Sequence, residues 1–475
     1  MTKQGKSILI LAFAVILSFI SASRLLACNV TEVHIWAGKT ATEAANKTNS
    51  PTTPVGILKG ATAYFYGEAT AQSDSEQRQL KWTYSYGDGG SDTHYTAYND
   101  TTDTASHPYT STGAYTITLT VERSGLANSS ASNTCLVTVY SVVVTDIKFN
   151  HSFGDSADGI NIAEDGTTDI TVPEWVRGGQ NKPAAYKKST SVTIKARFAA
   201  DDDITSAKIS ATASDANVLG NLGEQTVNFS GGVSDYVLFT PASSTPGSIS
   251  KNTQTWQWKI RDLNGGGSSQ VNINSSGEHT IYIVLDTPVP PMAEPWTEIL
   301  DYACVWANTA TSPSTACSYI LSEGFAAHYT WNGTNCDDLS SAFHYLVTAL
   351  GISCTQHFWS EPSFLRPRVD GDMMYMRTNE VDPVGSTGSG YYTFTHHQWA
   401  SISGWQIDPS FEQMMTGSWG DYEDYLFLEY NWCVDVDPFQ EDWTTNQSGQ
   451  SSGCEAPEHR YEGTPNPNSW HGPTR

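Results

Sequence analysis

Basic residues are scarce in this sequence: 25 Lys and Arg stand against 50 Asp and Glu, for a formal charge of −25. A surface of that sign repels phosphate backbones, which excludes nucleic acid as the natural partner. The plain reading of the acidity is that it keeps an exported chain soluble. Long apolar runs are absent beyond residue 20, so no later segment reads as a membrane span. Cysteine is nearly absent from the first 300 residues, which hold Cys28 and Cys135. The other six stand at 304, 317, 336, 354, 433 and 454, so a disulfide framework would belong mainly to the C-terminal part.

What is present at the N-terminus is Lys3 and Lys6, then an apolar run from Ile8 to Ile20, then Ser21, Ala22 and Ser23. That order reads as a secretory signal peptide over residues 1–27, cleaved after Ser23 or Ala27. Leu25-Leu26-Ala27-Cys28 also resembles a bacterial lipobox, which would place a lipid anchor at Cys28, although Arg24 interrupts the apolar approach. The expected location is outside the cytoplasm, secreted or at the cell surface. The length of 475 residues suggests about three domains, and 39% hydrophobic with 11% aromatic residues is enough to fill their cores.

Residues from about 30 to 140 alternate in short apolar segments broken by Gly, Ser, Asn and Asp, an all-β pattern. Trp82-Thr83-Tyr84-Ser85-Tyr86-Gly87-Asp88-Gly89 predicts a strand running into a tight turn. Gly113-Ala114-Tyr115-Thr116-Ile117-Thr118-Leu119-Thr120-Val121 has period two, and His107-Pro108-Tyr109 lies between them. Together these segments resemble a polycystic-kidney-disease-type (PKD) β-sandwich, with Tyr86 where that family usually has Phe. The resemblance implies an extracellular spacer or binding module in which His107 is structural.

From 141 to 287 strand patterns continue, in Val192, Ile194, Ala196 and Phe198, in Trp256 and Trp258, and in Ile281, Ile283 and Leu285. They predict a second sandwich of immunoglobulin-like type. Asp201-Asp202-Asp203 reads as a solvated turn rather than a cation loop, because it lacks a full set of oxygen ligands. Thr287-Pro288-Val289-Pro290-Pro291 cannot continue a ladder and marks a boundary. Beyond it, helical spacing runs over Trp296–Asn308, Ala316–His328 and Asp337–Leu350, the last ended by Gly351. Strand signals return at Tyr391.

The chemistry-bearing segments lie in this last part. In Gly333-Thr334-Asn335-Cys336-Asp337-Asp338 a cysteine opens an amphipathic helix whose buried stripe is Leu339, Ala342, Phe343, Leu346, Val347 and Leu350. The helix dipole and unpaired N–H groups there favour a thiolate, and the Cys336 N–H could serve an oxyanion. His396-His397-Gln398-Trp399-Ala400-Ser401-Ile402-Ser403-Gly404-Trp405-Gln406-Ile407-Asp408-Pro409-Ser410 reads as two adjacent strands, a base on the first and a carboxylate ending the second.

Taken together, residues from about 295 to 415 resemble the transglutaminase-like branch of the papain fold. The motifs are a cysteine helix followed by Leu350-Gly351-Ile352, then His397-x-Trp399, then Gly404-Trp405-x-x-Asp408-Pro409-Ser410. Gly333 stands three residues before Cys336, where the family more often has glycine two before. The resemblance implies Cys336 as nucleophile, His397 as general base and Asp408 as the residue that orients the imidazole. No metal or organic cofactor is implied. The expected substrate is a protein or peptide, and the expected reaction is amide hydrolysis rather than cross-linking.

Rival readings remain open at this stage. His396 is the alternative base, and neighbours on a strand face opposite sides. A metal site from Cys336, Cys354, His357 and His396 fits no recognised zinc spacing. Trp306 or Trp331 could donate to an oxyanion, though a core role is the ordinary one, and His344 is read as a surface or packing residue. Cys304 with Cys317 and Cys433 with Cys454 are the local disulfide pairings. With Cys336 kept as a thiol, lipidation of Cys28 or a free Cys354 would make the remaining count even. The expected architecture is a signal peptide (1–27), a PKD-type β-sandwich (28–141), an immunoglobulin-like β-sandwich (142–287), a transglutaminase-like α+β domain (288–454) and a disordered tail (455–475). The non-enzymatic alternative is an adhesion or matrix protein that uses the papain-like domain as a scaffold.

Overall fold

The protein's structure, a computed structural model, describes residues 29–126, 129–150, 159–201, 203–265, 267–325, 336–360, 373–378, 391–394, 396–417, 427–433, 454–455 and 460–461. For 358–360, 373–378, 391–394, 396–397, 427–433, 454–455 and 460–461 only the backbone is described. The expected signal segment, Cys28 and Trp331 lie outside these residues. Within the expected tail, Glu455 and Arg460–Tyr461 belong to short strands.

The first β unit pairs Val30–Gly38, Thr62–Ala71 and Thr102–Pro108 in one antiparallel sheet. A second sheet has the order Val55–Leu58, Ala131–Tyr140, Gly113–Arg123, Leu80–Ser85 and Ser91–Thr96, and its first pair is parallel. Alternation sends Trp82, Tyr84, Ile117, Leu119 and Val121 inward, and all are fully buried. The Trp82 indole N–H donates to Thr96 Oγ1 at 2.9 Å, so the largest core side chain leaves no polar atom unsatisfied. Gly87 at φ +82° and Gly89 at φ +95° take the left-handed backbone that the turn after Tyr86 demands. His107 closes that turn: its Nε2 lies 2.7 Å from Asp88 Oδ2, and its ring stacks on Tyr86 at 4.1 Å. The expectation of a structural histidine agrees with this geometry. Tyr86 in place of Phe also has a local cause, because its hydroxyl donates to Asp92 Oδ2 at 2.8 Å.

The second β unit contains one nine-stranded sheet. Its path runs Trp175–Val176, Val142–Lys148, Ile194–Ala200, Val233–Ser234, Leu222–Ser230, Ser206–Ala213, Trp256–Arg261 and Val271–Ser275, with Val237–Phe239 added to Ile194–Ala200. A three-stranded sheet places His279–Val284 between Ala184–Lys187, parallel to it, and antiparallel Ser250–Gln254. Trp256, Trp258, Phe198 and Phe239 fill the core. Asp201 and Asp203 face the first unit: Lys59 Nζ lies 3.5 Å from Asp201 and Thr112 Oγ1 donates to Asp203 at 3.1 Å, so these two acids lie at a junction rather than in a purely solvated turn.

The last part is α+β. Helices Thr297–Trp306 and Pro313–Tyr319 lead into a π-helical turn at Ile320–Phe325, and a further helix spans Cys336–Ala349. One five-stranded sheet has the order Gln413–Thr416, Trp405–Asp408, His396–Ile402, Thr355–Ser360 and Arg460–Tyr461. A four-stranded sheet has the order Tyr391–Phe394, Met373–Thr378, Phe427–Cys433 and Cys454–Glu455.

The proline-rich boundary at 287–291 does not separate two independent cores. Ala185, Ile249, Tyr282 and Val284 of the second β unit share one buried cluster with Leu300, Leu346, Leu350 and Ile407. Leu350 C=O accepts from both Leu285 and Asp286 N–H at 3.2 Å, and Val289 N–H reaches Thr348 C=O at 3.1 Å. Gly351 ends the helix at φ +81°, with Ile352 N–H bonded to Val347 C=O at 3.0 Å. A Cβ at Gly351 would stand 2.4 Å from the Asp286 carbonyl oxygen. Two independent demands therefore require glycine there.

Gly351→Ala is expected to cost about 3 kcal/mol, from left-handed strain together with a backbone clash, and to lower the unfolding midpoint in urea. A second expectation concerns acid. His279 is fully buried among Phe149, Trp175 and Trp256, with Nε2 2.8 Å from Ser276 Oγ, and burial depresses its pKa from 6.5 to about 3. The unfolded chain therefore takes up this proton first, and the stability held above the unfolded value is lost as pH falls, roughly 4 kcal/mol by pH 3. Denaturant titrations across that window should show a shallower loss in His279→Gln than in the wild type.

Candidate active site

Cys336 is the first residue of its helix, is buried, and carries a thiol. Asp337 and Asp338 occupy the first turn, where carboxylates complement the positive end of the helix. The sulfur lies 3.9 Å from Asp337 Oδ1. That carboxylate opposes a thiolate while the helix terminus favours one, so an imidazolium nearby would decide the balance.

The helix packs against strand His396–Ile402, with Leu339, Ala342, Phe343 and Leu346 in the same cluster as Ala400, Ile402 and Ile407. Strand His396–Ile402 runs antiparallel to Trp405–Asp408 in the register Ala400 to Ile407 and Ile402 to Trp405. The connection is two residues, Ser403 at φ 27° and Gly404 at φ 84°, the positive-φ pair that suits the twist of a tight hairpin. The three sequence-predicted residues thus sit on one helix tip and two neighbouring strands.

Period two divides the two histidine positions. Position 396 shares the side of Ala400 and Ile402, against which the helix packs, and position 397 shares the side of Trp399. One step beyond the Ala400–Ile407 pair the register sets Asp408 opposite Trp399, so positions 397 and 408 share a side. The side chains of His396 and His397 lie outside the described residues. Asp408 is fully buried, and its Oδ1 accepts the Ser410 N–H at 2.9 Å across the Asp-Pro-Ser turn. The carboxylate is held in place by its own chain.

A polar network that the sequence did not disclose supports this hairpin. His357 Nε2 lies 2.7 Å from Ser401 Oγ, and its ring stacks on Trp399 at 5.1 Å. Trp399 Nε1 donates to Gln406 Oε1 at 3.1 Å. From the other side of the sheet Gln356 Nε2 reaches Ser340 and Ser341 Oγ of the helix at 3.4 Å. His357 is therefore packed into the sheet beside Ser401 and Trp399. Among the described residues no three His, Cys, Asp or Glu side chains converge closely enough to hold a metal. Trp306 is a core residue packed on Tyr302 at 5.1 Å, and His344 is buried in the helix.

The expected Cys304–Cys317 disulfide is corrected. Both are buried thiols on separate helices. The Cys304 sulfur points to the Ile283 carbonyl at 3.8 Å, and Cys317 neighbours Cys354. Nearness in sequence misled because the intervening chain turns from one helix into the next. Cys433 and Cys454 are register partners across an antiparallel pair.

Residues 51–139 match the family model described as the PKD domain, and this segment is a PKD domain. No curated protein matches the chain. Among solved structures, the PKD domain of an M14-like peptidase from a Thermoplasmatales archaeon is 16% identical, covering 24% of this chain and 94% of its own, with a TM-score of 0.17. A Salmonella alpha-2-macroglobulin mutant is 9% identical over 55% of this chain and 15% of its own, with a TM-score of 0.18. The D0-D1 domain of intimin is 12% identical over 53% of this chain and 98% of its own, with a TM-score of 0.16. Scores this low leave the α+β part to be argued from its own residues.

Burial pushes the Cys135 thiol up to about 12 and raises those of Cys304 and Cys317 as well. Iodoacetamide at mildly alkaline pH should leave these three unmodified in the folded protein and label them after denaturation, read by peptide mass spectrometry. Labelling of any of them at the rate of a free thiol would contradict their packing.

Proposed function

We propose that this protein is an exported, cysteine-dependent acyl-transfer enzyme of transglutaminase-like type, built on a papain-like α+β domain behind two β-sandwich modules. The observation that carries the reading is the packing of the Cys336 helix against strand His396–Ile402, with Asp408 ending the neighbouring strand; because the helix packs on the side of position 396, a base at His397 would have to meet the sulfur past the helix tip, and His396 is the rival that the variants below separate. The PKD domain supports an extracytoplasmic location, and Cys28 would supply the lipid anchor if the lipobox is processed.

In the proposed reaction His397 takes the Cys336 proton, and the thiolate attacks the carboxamide carbonyl of a protein or peptide. The tetrahedral oxyanion takes a hydrogen bond from the Cys336 N–H, the C–N bond breaks, and His397 returns its proton to the leaving amine. Water then attacks the thioester, gives up its proton through His397, and releases the carboxylic acid and the thiol. Asp408 holds the imidazole in the tautomer that this requires. Hydrolysis is the preferred reaction, because cross-linking would have to keep water from the thioester. No step needs a metal or cofactor.

A peptide amide mimic with a thiol-reactive warhead tests this. The wild type should be labelled at Cys336, and Cys336→Ala should lose labelling and amide hydrolysis together. His397→Ala should lower turnover by at least 10²-fold with the fold retained, and Asp408→Asn should lower it by a similar factor. His396→Ala serves as the positional control and should keep most of the activity. A folded, reduced protein that is neither labelled nor active would instead support the scaffold reading, in which the domain serves adhesion. A full loss in His396→Ala with His397→Ala active would move the base by one residue.

A further inference from the structure

A small cavity in the second β unit is lined by Asn150, Asn161, Glu174, Asp169 and Glu294 together with six apolar residues, and among the described residues its wall holds no Lys, Arg or His. Its volume is ≈ 40 Å³, room for one ion with a water or two. Glu174 is 2% exposed, and its two carboxylate oxygens accept the N–H groups of Phe149 and Asn150 at 2.9 Å each. Both oxygens are therefore held as acceptors, as an ionised carboxylate would be. Among the described residues no cationic side chain forms an ion pair with it. Lys148 acts on the carboxylate at a distance and burial still disfavours its charge, so a cation bound beside it would be favourable.

An independent observation points to the same place. Asn150 is 8% exposed, its Nδ2 donates to Asn161 Oδ1 at 2.6 Å, and its Oδ1 has no partner. An orphaned buried acceptor, a buried carboxylate and two exposed acidic side chains border this ion-sized space beside six apolar residues. The carboxylates do not converge as a compact triad. The ligand set is therefore mixed, with Glu174 and the Asn150 amide oxygen inside and water completing the shell toward the exposed Asn161, Asp169 and Glu294.

We propose that this cavity binds a divalent cation of the calcium type. Hard, flexible oxygen coordination by carboxylate, amide and water suits Ca²⁺, whereas Mg²⁺ demands a tighter octahedron. Few protein charges and several waters place the affinity in the weak range of extracellular modules, a Kd of roughly 10⁻⁴–10⁻³ M. The location gives the ion a structural task. Ala163 N–H bonds to the Pro295 carbonyl and Thr297 N–H to the Ala163 carbonyl, so the chain beside Asn161 is tied to the start of helix Thr297–Trp306. An ion joining Glu174 and Asn150 to Asn161, with Glu294 at the rim, would stiffen the seam between the β unit and the α+β part.

Calorimetric titration of the chelator-treated full-length chain with CaCl₂, paired with thermal unfolding, tests this. The wild type should bind one Ca²⁺ in that range and unfold at a higher temperature in millimolar CaCl₂ than in chelator. Glu174→Gln should weaken binding at least tenfold with an unchanged far-UV spectrum. Asn150→Asp, which adds a charge to the wall without changing its size, should tighten binding severalfold. Absence of binding to the wild type would overturn the proposal, as would unaltered stoichiometry and affinity in both variants, which would assign the uptake to the acidic surface.

Discussion

The arrangement depends on how helix Cys336–Ala349 is anchored at its far end. Leu350 C=O accepts from two successive N–H groups of the strand end at Leu285 and Asp286, and Gly351 permits that approach because it has no side chain. A helix of 14 residues is a rod of roughly 20 Å, so fixing its C-terminus and its buried stripe also fixes where Cys336 stands. The second β unit is in this sense part of the candidate site. Its strand His279–Val284 forms the surface on which the helical layer rests, and its Tyr282 and Val284 belong to the same core as Leu346 and Ile407. A candidate catalytic domain cut at the proline-rich boundary would lose that surface.

Much of the fold was legible because its residues repeat with the period of the element they form. Alternation in Trp82–Tyr84 and Ile117–Val121 gave the first β unit, and the stripe from Leu339 to Leu350 gave the helix, its end included. Strand order was not legible: the parallel pairing of Ala184–Lys187 with His279–Val284 joins segments almost a hundred residues apart and leaves no local mark. The helical pattern read across Ala316–His328 instead widens into a π-helical turn at Ile320–Phe325. The cause is tertiary, since Gly324 lies against the Trp306 ring where any Cβ would stand 2.3 Å from an indole carbon.

The candidate site was legible in its reactive residue types and order, but not in what supports them. His357 appeared in the sequence only as an implausible metal ligand, and the structure gives it to Ser401 and Trp399. Asp408 was legible as the carboxylate ending the second strand, but the Ser410 N–H bond that holds it in place was not. The Cys304–Cys317 expectation failed because proximity in sequence carries no information about side-chain direction once two helices intervene. His107 and Tyr86 in the PKD domain show how family motifs translate into contacts, in a ring stack and two hydrogen bonds around one turn.

The central claim is that the sulfur at the helix tip is paired with an imidazole carried by the hairpin. The pH dependence of the alkylation rate of Cys336 tests it most directly, followed at that one peptide. A thiolate–imidazolium pair predicts reaction well below the ordinary thiol range of about 8.5, with the low-pH reactivity removed in His397→Ala. A single rise near the ordinary value, unchanged by that substitution, would show a thiol with no base beside it and would contradict the account.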